Sequence, residues 1–218
     1  MTRVITLVLL FTLAIVFHGQ IETASQNVGL SFTLSKMMPY VLQAVFLIIL
    51  LIESYRHLLD RFSNTLRRVI GLLILAVGGG IAFAVHPIYQ GDFQHEYKPV
   101  YFKGNSLNDL NDGLTMIALP GCPYCYERVE DLNRFVELYP NQEVFIQVVN
   151  QDSLALEEYQ ERTSDAIHVS LVKNEPSVKL LIGERYPSFI FISSGNHQGM
   201  IWNNNGFGVA ALDFILEQ

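Results

Sequence analysis

The stretch Thr-Met-Ile-Ala-Leu-Pro-Gly-Cys-Pro-Tyr-Cys, residues 115–125, contains the two patterns that decide the fold. Residues 115–119 are a short apolar run that suits a buried strand, and Pro120-Gly121 ends it. From the second cysteine onward, apolar residues recur at the spacing of one helix face. They are Cys125, Val129, Leu132 and Val136. The stretch therefore predicts a strand, a tight turn and a helix that begins at the cysteine pair.

The rest of the chain after this stretch continues to alternate between strand and helix patterns. Short apolar runs predict strands at residues 144–149, 167–172, 188–192 and from 200 onward. Helical patterns occupy residues 154–162, 175–182 and 209–216. This order predicts an α/β layer arrangement over residues 114–218, a length that suffices for one core.

Two cysteines at the first turn of a helix have a specific chemical meaning. The unpaired backbone N–H groups and the positive end of the helix dipole favour a thiolate over a thiol at Cys122. Cys125 lies one turn further in, where it can attack a mixed disulfide on Cys122 and release the product. We therefore predict that Cys122 is the nucleophile and Cys125 the resolving residue.

A lone pair of cysteines is also compatible with half of a zinc site or with inert buried thiols. Zinc needs four ligands, the chain has no other cysteine, and no histidine stands at matching spacing. His86 and His95 are predicted to be solvated loop residues rather than ligands. The strand–turn–helix setting favours redox chemistry, with no metal and no other cofactor.

Residues 114–218 resemble the thioredoxin superfamily in the predicted strand, the motif and a Tyr186-Pro187 step before a later strand. The Cys-Pro-Tyr-Cys motif is similar to that of glutaredoxins and periplasmic disulfide oxidases. The resemblance implies a thioredoxin-like fold, a central mixed sheet flanked by helices, in which Pro187 is a cis-proline that faces the cysteines and takes part in catalysis. It also implies that Tyr186 contacts substrate, and Pro123 and Tyr124 are further candidates for that role.

The chain departs from the thioredoxin pattern at one position. Thioredoxins carry a buried acid six residues before the first cysteine, where this chain has Met116. The usual internal proton acceptor is therefore missing, and Glu127 and Arg128 are the candidate substitutes. Residues of a glutathione site are not identifiable, so the resemblance favours protein thiols over glutathione as substrates.

Residues 1–86 are predicted to be a helical transmembrane region. The chain is 50% hydrophobic and only 16% charged, and the apolar excess lies in three runs at residues 4–17, 37–52 and 69–85. The first run is either a span or the core of a cleaved signal peptide, and we favour a retained span. Residues 87–113, rich in Pro and Gly, are predicted to be a linker.

The charges between the second and third runs predict the orientation. Arg56, Arg61, Arg67 and Arg68 lie there, and positive charge stays on the cytoplasmic side of a membrane. We therefore expect a multi-pass protein of the bacterial inner membrane with its C-terminal domain in the periplasm. Residues 78–80, three glycines in the third run, either allow close helix packing or are incidental.

Two hypotheses for function follow. In the first, the chain is a membrane-anchored thiol–disulfide oxidoreductase that acts on protein thiols and needs a separate partner for recycling. In the second, it is a non-catalytic thioredoxin-fold subunit that docks within a membrane protein complex. The net charge of −7 argues against nucleic acid as a partner, and the predicted spans lack the ionisable residues of a transporter.

Overall fold

A computed structural model of the chain describes residues 2–57, 62–101, 110–149, 153–193 and 198–218. The chain forms two compact units, Met1–Tyr89 and Gln90–Gln218.

The first unit is helical. Its helices are α1 (Thr2–Val16), α2 (His18–Asn27), α3 (Phe32–His57) and α4 (Asn64–Val85). Two of them, α3 and α4, are long and apolar enough to cross a membrane, with mean hydropathies of 1.9 and 2.2. They contain the predicted runs 37–52 and 69–85 and extend beyond them. The Ser63 hydroxyl caps α4 by accepting a hydrogen bond from the Leu66 N–H.

The first predicted run does not form a straight span. Helix α1 contains 15 residues, which is about 22 Å of helix and shorter than a hydrocarbon core of about 30 Å. At Phe17 the chain turns, and α2 continues at an angle of 70° to α1. The bent pair is either one broken span or a re-entrant loop, so the described residues contain two candidate spans, or three if the pair counts as one.

The helices of this unit pack through a small apolar cluster. Its members are Phe11, Ile15, Leu47, Leu50 and Ala82. Gly78 is buried, and a Cβ added there would lie 2.7 Å from Leu47 Cδ1. Gly79 and Gly80 have open space at the same position. Close helix packing therefore explains Gly78, whereas the two following glycines are incidental to packing within this unit.

A buried polar cluster joins three helices of the unit. The His18 ring stacks on His86 at 4.0 Å between centroids, and Gln43 Nε2 lies 3.3 Å from His18 Nδ1. The Tyr40 hydroxyl donates to the His86 carbonyl. The prediction that His86 is a solvated loop histidine is therefore wrong, because its ring lies against another imidazole and its Nε2 is 2.9 Å from the Ile15 carbonyl.

The second unit is a mixed sheet flanked by helices, as predicted. Its elements are α5 (Gln90–Phe93), β1 (Lys98–Tyr101), β2 (Gly113–Ala118), α6 (Pro123–Leu138), β3 (Val144–Val148), α7 (Ser153–Arg162), β4 (Ile167–Leu171), α8 (Glu175–Ile182), β5 (Ser188–Ile192), β6 (Gln198–Asn203) and α9 (Val209–Leu216). The strand order is β1-β6-β5-β2-β3-β4. Strands β2, β3 and β4 are parallel, and the other neighbours are antiparallel.

The sheet buries apolar side chains on both faces, because successive residues of its buried central strands point to opposite faces. On one face Ile117 and Ile190 pack with Val178 and Ile182 of α8. Next to Ile190 in β5, Phe189 stacks on Phe207 with ring centroids 3.6 Å apart. Trp202, the single tryptophan of the chain, is fully buried in β6. The prediction of strands and helices from residue 114 onward is confirmed for the described residues.

The prediction that residues 87–113 are a linker is wrong for the part that the structure describes. Strand β1 pairs antiparallel with β6, with Pro99 opposite Met200, at an edge of the sheet where proline is tolerated. The Tyr97 ring lies 5.5 Å from Phe214. His95, predicted to be solvated, stacks on Phe214 at 4.5 Å. The strand has only four residues, too few for a period of two to show in the sequence.

Replacement of Gly91 by alanine tests whether this segment belongs to the folded unit. Gly91 is buried, and a Cβ added there would lie 2.8 Å from the carbonyl carbon of Phe207. We expect Gly91→Ala to lower the free energy of unfolding of the second unit by about 1–3 kcal/mol, because backbone must shift to admit the methyl group. Chemical denaturation of the whole protein in detergent, followed by Trp202 fluorescence, measures this.

The exposed Gln94 nearby provides the matched control, and Gln94→Ala should leave the transition within about 0.5 kcal/mol of the parent. Equal transitions for the two variants would show that the segment is not packed against the second unit.

Candidate redox site

The turn between β2 and α6 places Cys122 at the start of the helix. Gly121 has φ of +64°, a left-handed conformation that glycine adopts without steric cost. Cys122 then has extended backbone angles, φ −83° and ψ 108°, and occupies the N-cap of α6. Pro123 follows at the first helical position, where its missing N–H leaves no hydrogen bond unmade.

The two cysteines are joined by a disulfide, with their Cα atoms 5.3 Å apart. Cys125 is fully buried, and Cys122 is partly exposed. The Cys125 N–H donates to the Cys122 sulfur at 3.3 Å. This bond and the helix dipole favour negative charge on that sulfur once the disulfide is reduced. The arrangement therefore suits an accessible nucleophile and a protected second thiol.

The two residues between the cysteines face solvent. Pro123 is exposed, and 61% of the Tyr124 surface is accessible. An exposed aromatic ring offers apolar contact area to an incoming polypeptide. The structure is thus compatible with the predicted substrate contacts of Pro123 and Tyr124, which stay predictions.

The Tyr186–Pro187 peptide bond is cis, as the resemblance implied. Pro187 directly precedes β5, whose first residue, Ser188, is paired with Ile117 near the end of β2. Strand pairing therefore places Pro187 next to the end of β2, where the chain turns toward Cys122. Pro187 is buried, and its predicted catalytic role stays a prediction.

Tyr186 is arranged differently from a simple substrate-contact side chain. Its ring packs against the cluster that contains Ile117 and Val178, and its hydroxyl is buried without a hydrogen-bond partner. Burial is the main cause that raises the pKa of this hydroxyl above its usual value. The side chain therefore belongs largely to the core, which leaves the Tyr186 backbone as the part best placed to meet a substrate.

A polar cleft of about 550 Å³ lies beside the cis-proline. Arg185 and Ser188 line it from either side of the Tyr186–Pro187 bond, and Lys98 and Asn203 contribute from β1 and β6. Because this cleft lies next to Pro187, it is a candidate for binding part of a polypeptide substrate.

Sequence reasoning missed a group of side chains that contact the turn before Cys122. The Tyr126 hydroxyl accepts from the Gly121 N–H at 3.0 Å and donates to Glu158 Oε2 at 2.6 Å. The Tyr159 hydroxyl donates to the Leu119 carbonyl at 2.8 Å. Only Tyr126 is next to the cysteine motif in the sequence. Glu158 and Tyr159 lie on α7, more than 30 residues later, so the sequence does not indicate that they contact this turn.

Met116 occupies the position at which thioredoxins carry a buried acid, and the roles of Glu127 and Arg128 as substitutes stay predictions. Met116 is fully buried in β2. Arg128 donates to Asn204 Oδ1 at 3.0 Å and pairs with Asp131 at 2.9 Å, so it ties α6 to the turn after β6. Glu127 is exposed on the same helix. Among the described residues, no three His, Cys, Asp or Glu side chains are grouped as for a metal ion.

Comparison with known proteins gives two distant structural matches. No protein-family model and no curated protein sequence matches the chain. A secreted disulfide oxidoreductase of Mycobacterium tuberculosis, described as homologous to E. coli DsbE, matches with 13% identity and a TM-score of 0.40, over 48% of this chain and 78% of that one. A thioredoxin-like protein from Bacteroides caccae matches with 12% identity and a TM-score of 0.33, over 81% of this chain and 70% of that one. Values this low leave the assignment to the geometry of the chain itself.

The difference in burial predicts different reactivity of the two thiols. After reduction, we expect iodoacetamide to alkylate Cys122 at least about ten times faster than Cys125, because only the Cys122 sulfur is accessible and stabilised as a thiolate. Mass spectrometry of alkylated peptides over time measures both rates. Denatured protein is the control, in which the two rates should become similar. Equal rates in the folded protein would contradict the assignment of roles.

Proposed function

We propose that the chain is a membrane-anchored thiol–disulfide oxidoreductase that acts on protein thiols through Cys122 and Cys125. The observation that carries the proposal is the position of the Cys122 sulfur, which lies at the amino end of α6 and accepts a hydrogen bond from the Cys125 N–H. A partly exposed sulfur with a buried partner one turn behind it is the arrangement that disulfide exchange requires.

In the reducing direction, the Cys122 thiolate attacks one sulfur of a substrate disulfide. A mixed disulfide forms and the other substrate sulfur leaves as a thiolate, which takes up a proton. The Cys125 thiol then loses its proton and attacks the Cys122 sulfur, which releases the second substrate thiolate and forms the Cys122–Cys125 disulfide. Two electrons pass from the pair to the substrate, and the reverse sequence oxidises a substrate dithiol.

The surroundings of the pair suit a polypeptide substrate. Tyr124, two residues after Cys122, offers an exposed ring, and the cleft lined by Arg185 and Ser188 adjoins Pro187. We assign the Tyr186 backbone, rather than its buried hydroxyl, to substrate contact. Because the chain has only these two cysteines, a separate redox partner must return the pair to its starting state after each turnover.

Loss of the first thiol should abolish this activity. We expect Cys122→Ala to reduce the rate of dithiol-dependent insulin reduction to the uncatalysed background, because no other nucleophilic sulfur is accessible. Cys125→Ala is the matched variant. It should also lose turnover, but it should accumulate a mixed disulfide with substrate that is visible on a non-reducing gel.

The alternative, a non-catalytic subunit of a membrane complex, predicts a different result. In that case Cys122→Ala would leave the activity of the preparation unchanged, and other subunits would co-purify in stoichiometric amounts in mild detergent. That combination would refute the oxidoreductase assignment.

The proposal includes anchoring in the bacterial inner membrane through the first unit. Helices α3 and α4 are the candidate spans. Arg56 lies in the last turn of α3, Arg67 and Arg68 lie near the start of α4, and Arg61 lies outside the described residues. The excess of arginine assigns this connection to the cytoplasm, which puts the chain after α4 on the periplasmic side.

Labelling of single cysteines tests this orientation. In the Cys125→Ala variant, we expect a membrane-impermeant maleimide to label Cys122 in intact spheroplasts. In a variant with Cys122→Ala, Cys125→Ala and Thr65→Cys, labelling should require permeabilisation, because Thr65 lies at the cytoplasmic start of α4. The opposite pattern of labelling would invert the proposed topology.

A further inference from the structure

Two tyrosine hydroxyls hold the turn between β2 and α6 from its two ends. Tyr159 donates to the Leu119 carbonyl at 2.8 Å, and Tyr126 accepts from the Gly121 N–H at 3.0 Å. The two rings contact each other, with centroids 4.9 Å apart. We call Tyr126, Tyr159 and Glu158 the tyrosine clamp. It fixes both peptide groups that flank Pro120, three residues before α6 begins at Pro123.

Glu158 sets the direction of the Tyr126 hydroxyl. The O–H···O distance of 2.6 Å to Glu158 Oε2 is that of a charge-assisted hydrogen bond. With its proton committed to the carboxylate, the hydroxyl oxygen presents a lone pair to the Gly121 N–H. Burial, followed by this hydrogen bond, raises the pKa of Tyr126, so the hydroxyl stays a donor. Arg162 contacts both partners, 3.5 Å from Glu158 Oε1 and 4.4 Å from the Tyr126 ring centroid.

The tyrosine clamp acts at Gly121, the residue of the turn whose backbone has the most conformational freedom. Gly121 is in the left-handed region and has no heavy atom within 4 Å of a Cβ position, so its neighbours do not hold it by packing. Its N–H bond to Tyr126 supplies the constraint that packing does not. The next residue, Cys122, must keep its N-cap conformation for its sulfur to accept from the Cys125 N–H.

We propose that Tyr126 is a positioning residue for the cysteine pair: through the tyrosine clamp it holds the Gly121–Cys122 step so that the Cys122 thiolate stays at the amino end of α6. The inference rests on the proposed function only for its biological meaning. Its physical content is an effect on the thiolate, which is measurable without any substrate.

Replacement of Tyr126 by phenylalanine removes the hydroxyl and keeps the ring. We expect the pKa of the Cys122 thiol to rise by about 0.5 to 1, because the freed turn weakens thiolate stabilisation at the helix end and Glu158 loses a donor that offsets its negative charge. The measurement is the pH dependence of Cys122 alkylation in the reduced full-length protein in detergent. The potential of the pair, measured against glutathione, should become more reducing.

Two matched variants separate positioning from other effects. In Glu158→Gln an amide oxygen still accepts from the Tyr126 hydroxyl while the negative charge is removed, so the pKa of Cys122 should stay unchanged or fall. Tyr139→Phe removes a hydroxyl at the other end of α6 and should leave the pKa unchanged. A rise in Tyr126→Phe that is absent from Glu158→Gln and Tyr139→Phe supports the clamp. No rise in Tyr126→Phe, or an equal rise in either of the other two variants, overturns it.

Folding and function are controlled independently. Trp202 fluorescence checks that each variant is folded, and if Tyr126→Phe does not fold, Tyr159→Phe tests the clamp from the Leu119 side with the same expected rise. If Cys122→Ala retains full insulin reduction, the proposed function fails while the clamp is still judged by the thiol pKa. If the pKa is unchanged in Tyr126→Phe and Cys122→Ala is inactive, the clamp fails and the function stands.

Discussion

The second unit depends on how the first turn of α6 satisfies its backbone donors. The first N–H groups of a helix have no preceding turn to bond to, and here the Cys125 N–H is shared between the Cys122 carbonyl oxygen at 3.1 Å and the Cys122 sulfur at 3.3 Å. The same atom is therefore both the cap of the helix and the proposed nucleophile. A reaction at this sulfur therefore alters a hydrogen bond at the start of α6, and a movement of the start of α6 alters the hydrogen bond that the sulfur accepts.

The sheet fixes the position of the turn that leads to Cys122. Strand β2 lies inside the sheet between β3 and β5, and all but the first of its residues are buried. Its carboxyl end delivers the chain to the turn, and antiparallel β5 starts beside that end with Pro187 just before it. Two segments far apart in sequence are thus brought to one edge by strand pairing alone.

The sequence was sufficient to predict the elements that have a long apolar pattern or that are bounded by proline and glycine. Strand β2 and helix α6 were predicted from residues within each segment, whereas the cis bond before Pro187 was expected from the resemblance to the thioredoxin superfamily. Strand β1 was not, because its four residues are stabilised by pairing with β6, and the adjacent Tyr97 ring stacks on Phe214 and contacts Trp202, both distant in sequence. The contact between Tyr126 and Glu158 spans 32 positions, which no local pattern reveals. The bend at Phe17 lies where the apolar run ends and His18-Gly19-Gln20 begins, and this change of composition does not show that a second helix continues at an angle.

The proline in the outermost strand has a consequence for handling unfolded chains. Strand β1 lies at an end of the sheet, and Pro99 has no N–H with which to extend the ladder. An outer strand with a complete row of donors would recruit extended polypeptides by their backbones, as growing fibrils do. The proposed substrates of this protein are extended polypeptides. Pro99 makes it unfavourable for such chains to pair nonspecifically with β1.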